Sequence, residues 1–329
     1  MSEQPFQQFE QPKQPEFKPE FESRHEALAE RMHLKSQWES QVKILNESGI
    51  LETLPETHGL GIVGIDGNEY SIPKYQEILS SIDEEQLTIL EQKESQGFTK
   101  MLLVPFAMPL DILIDRFKRL ILKHHKEGKL LGTDGSKLKL DVNNPFDVWE
   151  NYKQADQKPR TDKDALFYYS SNFDSNNPNI HQGKTKQELI DQQEAWQVHF
   201  IEDLPDLSAK GEGQTKGGRL QLEANKSSID YLELTQENPV YQHELGSTPE
   251  LELTYAITHL KETNQMIDDW RGKGKLAKLF GACLSDYVSV FGWYRDGGQA
   301  GLGRYRLGSQ SGYYCARSSV KIKILKFKP

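Results

Sequence analysis

The chain has 329 residues, a formal net charge of −9 at pH 7 and 27% charged residues. Phosphate binding needs a basic face, so this charge balance argues against nucleic acid as the main partner. No stretch is apolar for long enough to cross a membrane, and the N-terminus has neither the basic start nor the apolar run of a secretory signal. The sequence therefore predicts a cytoplasmic or virion-associated protein without membrane insertion.

The first segment, residues 1–22, is a low-complexity mixture of Pro, Gln, Glu and Phe. It cannot bury enough apolar area to offset the entropy of ordering, so it is predicted to be a disordered arm. Phe6, Phe9, Phe17 and Phe21 recur between polar spacers. They are consistent either with short docking anchors for a partner or with a plain solvated tail.

Residues 23–97 are predicted to form a small mixed domain. Ser23 is a plausible cap for a helix that runs to about Glu47. A hairpin follows, with residues 66–68 as its turn, and then two further helices that end before Gly97. The segment shows no catalytic motif, so oligomerisation or attachment to a larger assembly is its expected role.

A larger domain is expected over residues 98–329. It opens with an apolar strand and an amphipathic helix that starts at Pro109, and Trp149 is a candidate core residue. Thr248 caps the strongest predicted helix, with Pro249 at its first position and acidic residues in its first turn. This helix is expected to pack behind the final sheet.

Histidine and acidic residues do not predict a metal site. His124 and His125 are adjacent and point to different helix faces, so they cannot share a metal. The remaining candidates without ligand spacing are His181, His199, His243 and His259. The paired acids, residues 268–269 and 202–203, lack the several converging oxygen ligands that calcium requires. No metal and no cofactor are expected.

The two cysteines, Cys283 and Cys315, both lie near the C-terminus. Two cysteines make neither a disulfide framework nor a zinc motif. They are consistent with two reduced thiols packed as small hydrophobes, or with a pair that the fold brings close together.

The C-terminal tail has an unusual composition. Residues 281–320 contain no Lys, Glu or Met and are rich in Tyr, Ser, Gly, Arg and Asp. Tyr and Trp supply large, stiff contact areas, while Ser and Gly adapt their hydrogen bonds. This composition is typical of a contact surface rather than of a core.

A process that rewrote only the adenines of Asn-type codons would produce many residue types, but never Lys, Glu, Gln, Met or Trp. The tail fits this pattern except at Trp293, Gln299 and Gln310, which would have to be fixed frame residues. The alternative is an ordinary surface loop rich in Gly, Ser and Tyr.

The run WYRDGGQAGL (residues 293–302), followed by CARSSVKI (residues 315–322), resembles the end of the variable region in target proteins of diversity-generating retroelements. Ala316 and Arg317 fit the Gly-Ala-Arg-like closure of that family, and Cys315 stands where Gly is usual. The resemblance covers roughly residues 100–329. It implies an α+β fold with a C-type-lectin-like, formylglycine-generating-enzyme-type C-terminal domain and a variable region at about residues 284–320.

The resemblance implies a non-enzymatic, prokaryotic or viral protein that binds an unknown protein or surface ligand through a hypervariable face. The implied variable face comprises Asp286, Tyr287, Ser289, Phe291, Tyr294, Asp296, Arg304, Tyr305, Arg306, Ser309, Ser311, Tyr313 and Tyr314. The implied frame positions are Trp293, Gln299, Ala300, Leu302, Ala316, Arg317 and Val320.

Two other functions stay open at the level of sequence. Formylglycine-generating relatives use a close pair of cysteines near the C-terminal part of the domain, so Cys283 and Cys315 would have to meet in an oxidase of that type. Alternatively, the chain is a structural or attachment protein whose tail is a fixed interface.

Overall fold

The computed structural model describes residues 19–149, 166–173, 182–207 and 215–324. Its helices are α1 (Pro19–Arg31), α2 (Leu34–Glu47), α3 (Tyr75–Ser80), α4 (Glu84–Ser95), α5 (Leu110–Lys126), α6 (Lys186–Asp191), α7 (Ser228–Glu237) and α8 (Pro249–Thr263). Its strands are β1 (Glu52–Thr53), β2 (Leu60–Val63), β3 (Glu69–Ser71), β4 (Phe98–Val104), β5 (Phe146–Val148), β6 (Phe167–Tyr168), β7 (Lys184–Thr185), β8 (Gln197–Glu202), β9 (Thr215–Lys216), β10 (Arg219–Leu220), β11 (Leu245–Gly246), β12 (Asp269–Trp270), β13 (Leu276–Leu284), β14 (Tyr287–Tyr294), β15 (Gln299–Arg306), β16 (Tyr314–Ala316) and β17 (Ser318–Ile322).

The fold is mixed α+β, and its largest sheet curls into a half-barrel. That sheet has the order β5-β15-β14-β13-β6-β7, with β12 paired to β14 and β16 paired to β13. A second sheet has the order β11-β17-β8-β4, and β1–β3 and β9–β10 form two small sheets. Among the described helices, none is both long and apolar enough to span a membrane.

The N-terminal boundaries differ from those expected. Helix α1 already begins at Pro19, so residues 19–22 do not belong to a disordered arm, and residues 1–18 lie outside the described part. The single helix expected from Ser23 to Glu47 is two helices, because His33 adopts a left-handed backbone conformation that interrupts the helical path.

Helix α8 lies at the centre of the molecule, in contact with β4 of the smaller sheet and with β13 and β14 of the larger one. Residues 249–260 are all buried, so this part of the helix has no solvated face. Three of its buried polar side chains form internal pairs: Lys186–Glu250 (2.8 Å), Arg317–Glu252 (3.0 Å) and Gln41–Thr258 (3.2 Å).

The outer edge of β4 is covered by side chains of α2. The Met101 amide donates to Gln37 Oε1 at 2.8 Å, and Gln37 Nε2 donates to the Thr99 carbonyl at 2.8 Å. The Leu103 amide is 3.4 Å from Gln41 Oε1. These glutamines satisfy backbone groups that an open edge would offer to another chain.

The main apolar core is one cluster of contacting buried residues, drawn from positions between Leu28 and Ile322. It includes buried residues of α1, α2 and α4 as well as those of both large sheets, so the described residues show no separate core before residue 97. The division at that position stays a prediction. Trp149 is half-buried at the rim, rather than in the core as expected.

Candidate binding surface of the C-terminal tail

The tail folds as the hairpin β14–β15, which pairs in register from Tyr287 opposite Arg306 to Tyr294 opposite Gln299. Successive side chains alternate between the two faces of a sheet, and residues directly opposite each other share a face. The odd-numbered residues of β14 therefore lie on one face, here called the core face. Its even-numbered residues lie on the other, called the aromatic face.

Two residues expected on the variable face lie in the interior. Phe291 is 0% exposed and Ser289 is 4% exposed, so their assignment to an exposed face is wrong. Alternation along β14 places both on the core face with Trp293. There, Phe291 packs against Phe117 and Phe146, with ring centroids 6.2 and 6.4 Å away.

The residues named as frame positions are mostly interior. The buried ones are Trp293, Ala300, Leu302, Ala316, Arg317 and Val320. Gln299 is half-buried, and its side-chain oxygen accepts a hydrogen bond from Asn144 at 3.2 Å.

Three rings meet at one end of the aromatic face. The Trp270 ring contacts Tyr294 at 5.8 Å and Tyr313 at 6.0 Å between centroids, both edge to face. Tyr313 is 62% exposed, the most exposed large hydrophobic residue of the tail. Trp270 precedes the tail and was not predicted as a site residue, because only the parallel pairing of β12 with β14 brings it beside Tyr294.

A glycine of β15 makes room for the Tyr294 ring. A Cβ atom at Gly301 would lie 2.9 Å from Tyr294 Cε2 and 3.4 Å from its Cδ2. The ring therefore covers the strand, and its burial raises the pKa of Tyr294 above the usual value. Tyr294 is part of the floor of this surface rather than a protruding contact.

A second aromatic pair, Tyr305 and Tyr314, lies on the same face with 4.2 Å between ring centroids. Beneath it, the ammonium group of Lys278 lies 4.8 Å from the Tyr305 ring and 5.7 Å from the Tyr314 ring. Lys278 is 0% exposed, and this burial lowers its pKa to about 8. This interior lysine was not predicted from the sequence.

The tail loop, residues 307–313, is attached mainly through its main chain. Donors outside the loop bind its carbonyl oxygens: Lys278 Nζ to Ser309 (2.8 Å), Lys275 Nζ to Gly312 (2.5 Å), the Ser228 amide to Leu307 (2.9 Å) and the Leu276 amide to Tyr313 (3.1 Å). A carbonyl oxygen is present whatever the side chain, so these contacts do not depend on residue identity. Gln310 also anchors the loop, donating from its side chain to Asp230 at 2.9 Å.

Two arginines attach the tail to the interior, Arg295 at the turn of the hairpin and Arg317 near the end of the tail. Arg317 binds Glu252 of α8 at 3.0 Å and Asp268 at 2.5 Å. Arg295, which was not predicted as a site residue, binds Asp269 through two nitrogens. The acidic pair at positions 268–269 therefore holds the tail. Burial raises the pKa of Asp268, and the Arg317 charge opposes that rise.

The core face continues past the core into an exposed cluster at the end of the hairpin. The Arg304 guanidinium lies 5.1 Å from the Trp149 ring centroid and 4.7 Å from that of Tyr287. Arg306 lies 5.9 Å from the Tyr287 ring, and its nearest carboxylate is Asp286 at 3.8 Å. Both arginines are exposed.

The other residues expected on the variable face lie around the hairpin turn and the tail loop. Asp296 is exposed and forms an ion pair with Arg271, while Ser309 and Ser311 are half-buried. The predicted variable face is thus not one continuous patch. The structure brings together Tyr294, Tyr305, Tyr313 and Tyr314 on the aromatic face, and Asp286, Tyr287, Arg304 and Arg306 at the end of the core face.

The two cysteines belong to different apolar clusters and have different polar neighbours. The Cys283 thiol lies 3.4 Å from the Ser170 hydroxyl, and the Cys315 thiol donates to the Leu222 carbonyl at 3.1 Å. Burial raises the pKa of Cys283 to about 12 and that of Cys315 to about 11. Neither thiol is poised to become a thiolate at neutral pH.

The candidate histidines are mostly interior. His124, His199 and His259 are buried, and His243 is exposed. His199 is hydrogen-bonded to Ser319 and Gln197 at 2.9 and 3.0 Å. His181 lies outside the described residues, and within the described ranges no group of three potential ligands could hold a metal.

Comparison of the chain with protein-family models, with curated proteins and with solved structures finds no match.

Proposed function

We propose that this chain is a non-enzymatic ligand-binding protein whose tail displays exchangeable side chains on a fixed backbone. In this proposal, the C-terminal domain is of the C-type-lectin type and its variability comes from a diversity-generating retroelement. The ligand is a protein or another surface component, bound by the exposed side chains of the hairpin and tail loop.

The supporting observation is the position of the three tail residues that adenine-directed rewriting cannot produce. Trp293 is buried, Gln299 binds Asn144, and Gln310 binds Asp230. Trp293 thus belongs to the core, whereas the two glutamines each bind a segment outside the tail. In contrast, Arg304 and Tyr313 project into solvent from a main chain held by carbonyl contacts.

The separation of Cys283 from Cys315 weighs against the oxidase-type alternative. A reactive pair needs both sulfurs in contact and at least one accessible, low-pKa thiol. Here the two thiols are buried in different parts of the sheet. A fixed attachment protein is the remaining alternative, and it differs from our proposal in the exchangeability of the tail.

The retroelement origin is tested by sequencing the DNA around the coding region. We expect a near-copy of the tail's coding sequence that differs only opposite template adenines, beside a reverse-transcriptase gene. The same codons should differ between isolates at Arg304 and Tyr313 and be constant at Trp293 and Gln310. A locus without either the copy or the gene contradicts this origin.

A further inference from the structure

The exposed arginine Arg304 packs beside two aromatic rings at the end of the hairpin. Its guanidinium packs beside the rings of Trp149 and Tyr287, 5.1 and 4.7 Å from their centroids. The two rings contact each other at 5.8 Å, so they cover one side of the guanidinium and restrict its rotation. Such stacking leaves the N–H groups around the edge of the guanidinium free to donate. In the described part of the chain, no carboxylate lies within ion-pair distance of Arg304.

Arg306 extends this arrangement by two residues. It stands directly opposite Tyr287 across the hairpin, and its side chain is 66% exposed. Its 3.8 Å separation from Asp286 is longer than a hydrogen bond, so that carboxylate does not occupy its donors. Both arginines therefore present unused donors on the same side of β15.

The spacing of the two arginines selects a type of ligand. Side chains two positions apart on a strand are separated by about 6.6 Å, which is also the separation of alternate side chains in an extended peptide. Each guanidinium can bind one carboxylate through two parallel hydrogen bonds. The overall charge of −9 disfavours nucleic acid, so alternating Glu or Asp side chains are the better match.

We propose that Arg304 and Arg306 form a clamp for an extended acidic peptide segment of the partner, with carboxylates at alternate positions. The inference rests on the proposed function, because it specifies the chemistry of the ligand that the same surface binds. Trp149 and Tyr287 act as positioning residues that hold the Arg304 fork in place.

The test uses the full chain and a fluorescein-labelled octapeptide of alternating Glu and Thr, with binding followed by fluorescence anisotropy at low salt. Arg304→Lys keeps the charge but loses the planar fork, so we expect about tenfold weaker binding, equivalent to about 1.4 kcal/mol. Arg306→Gln should weaken binding at least as much. The matched control is Arg119→Lys, at an exposed arginine of α5 that pairs with Asp115 at 2.8 Å, and it should leave binding unchanged.

Thermal unfolding of each variant should show that the fold is retained, since both arginines are exposed. The inference is overturned if the wild-type chain does not bind the peptide at millimolar concentration, or if Arg304→Lys binds as well as wild type. It is also overturned if a Gln–Thr peptide or a single-stranded oligonucleotide binds equally well. None of these outcomes bears on whether the tail tolerates substitution, so failure of the clamp can be distinguished from failure of the proposed function.

Discussion

At the scale of single residues, interior side chains hold the main chain of the tail in place. Lys278 connects two segments that are distant in sequence, since its ammonium group donates to the carbonyls of Lys226 at 2.6 Å and Ser309 at 2.8 Å. Its charge is offset by those two carbonyls and the faces of two tyrosine rings, with further support from the nearby Asp230. Burial nevertheless penalises the charged form more than these contacts favour it.

The lowered pKa of Lys278 predicts an effect of pH on stability. Its pKa is 10.5 in the unfolded chain and about 8 in the fold, so the unfolded state binds more protons between these values. The free energy of unfolding should therefore gain a contribution that rises with pH from about 8 and is complete near 10.5. In Lys278→Met this rise is absent.

Urea unfolding at pH 7.5 and pH 9.5 measures this contribution, which we expect to be on the order of 1–3 kcal/mol in the difference between wild type and Lys278→Met. Tyrosine titration contributes to both proteins and cancels in that difference. Lys275→Met, at the half-buried lysine that binds the Gly312 carbonyl, is the control and should keep the wild-type dependence. An unchanged pH dependence in Lys278→Met would contradict this account of the interior lysine.

At the scale of elements, the hairpin β14–β15 combines two roles on two faces. Its core face supplies Phe291 and Trp293 to the interior, and its aromatic face supports the Tyr294 ring on Gly301. Residues 288–293 of β14 are buried on both faces, so the hairpin provides its contacts at its two ends. The exposed arginines occur where β15 extends past the core.

The support of Tyr294 by glycine can be tested by adding a methyl group. Gly301→Ala should destabilise the protein by about 1–3 kcal/mol, because its Cβ would displace the Tyr294 ring. Much of that loss should be recovered in the Gly301→Ala/Tyr294→Ala double variant relative to Tyr294→Ala alone.

Denaturant unfolding of the four proteins in this cycle gives the coupling energy. Gly312→Ala is the matched control, because a Cβ there meets no atom within 4 Å. Equal losses of stability in Gly301→Ala and Gly312→Ala, or strict additivity in the cycle, would show that the Tyr294 ring does not need a glycine at position 301.

At the scale of the whole molecule, one core joins the N-terminal helices, the central helix α8 and the tail. The tail hairpin lies within the larger sheet, and the chain after it is attached to α8 and its flanking turn through Arg317. Substitutions at exposed positions away from such attachments usually change stability little. The molecule thus combines a tail main chain that is attached to the core with exposed side chains that project from it.

Local patterns predicted much of this architecture. The cap at Thr248, the strand Phe98–Val104 and the apolar face of α5 were predicted from chemistry that neighbouring residues determine. Side chains alternate along a strand, so Phe291 and Ser289 lie on the same face as Trp293. The prediction relied on the composition of the tail and did not use this alternation. These two were the misassigned members of the candidate site.

The remaining features depend on contacts between distant segments. Trp270 joins the aromatic face because β12 lies beside β14, and Lys278 is interior because the tail loop folds over it. The left-handed residue at His33 divides a segment whose periodicity reads as one helix. Sequence periodicity carries no information about contacts between distant segments, so it could not predict the positions of Trp270 and Lys278.

The central claim is most directly tested by randomising two sets of tail positions and measuring the fraction of folded chains by protease resistance. One library varies four exposed positions and the half-buried Ser309: Asp296, Arg304, Arg306, Ser309 and Tyr313. The other varies buried positions of the same hairpin: Ser289, Phe291, Trp293, Ala300 and Leu302. We predict that most members of the first library stay folded while few of the second do. Equal losses of folded protein in both libraries would contradict a fixed backbone with exchangeable side chains.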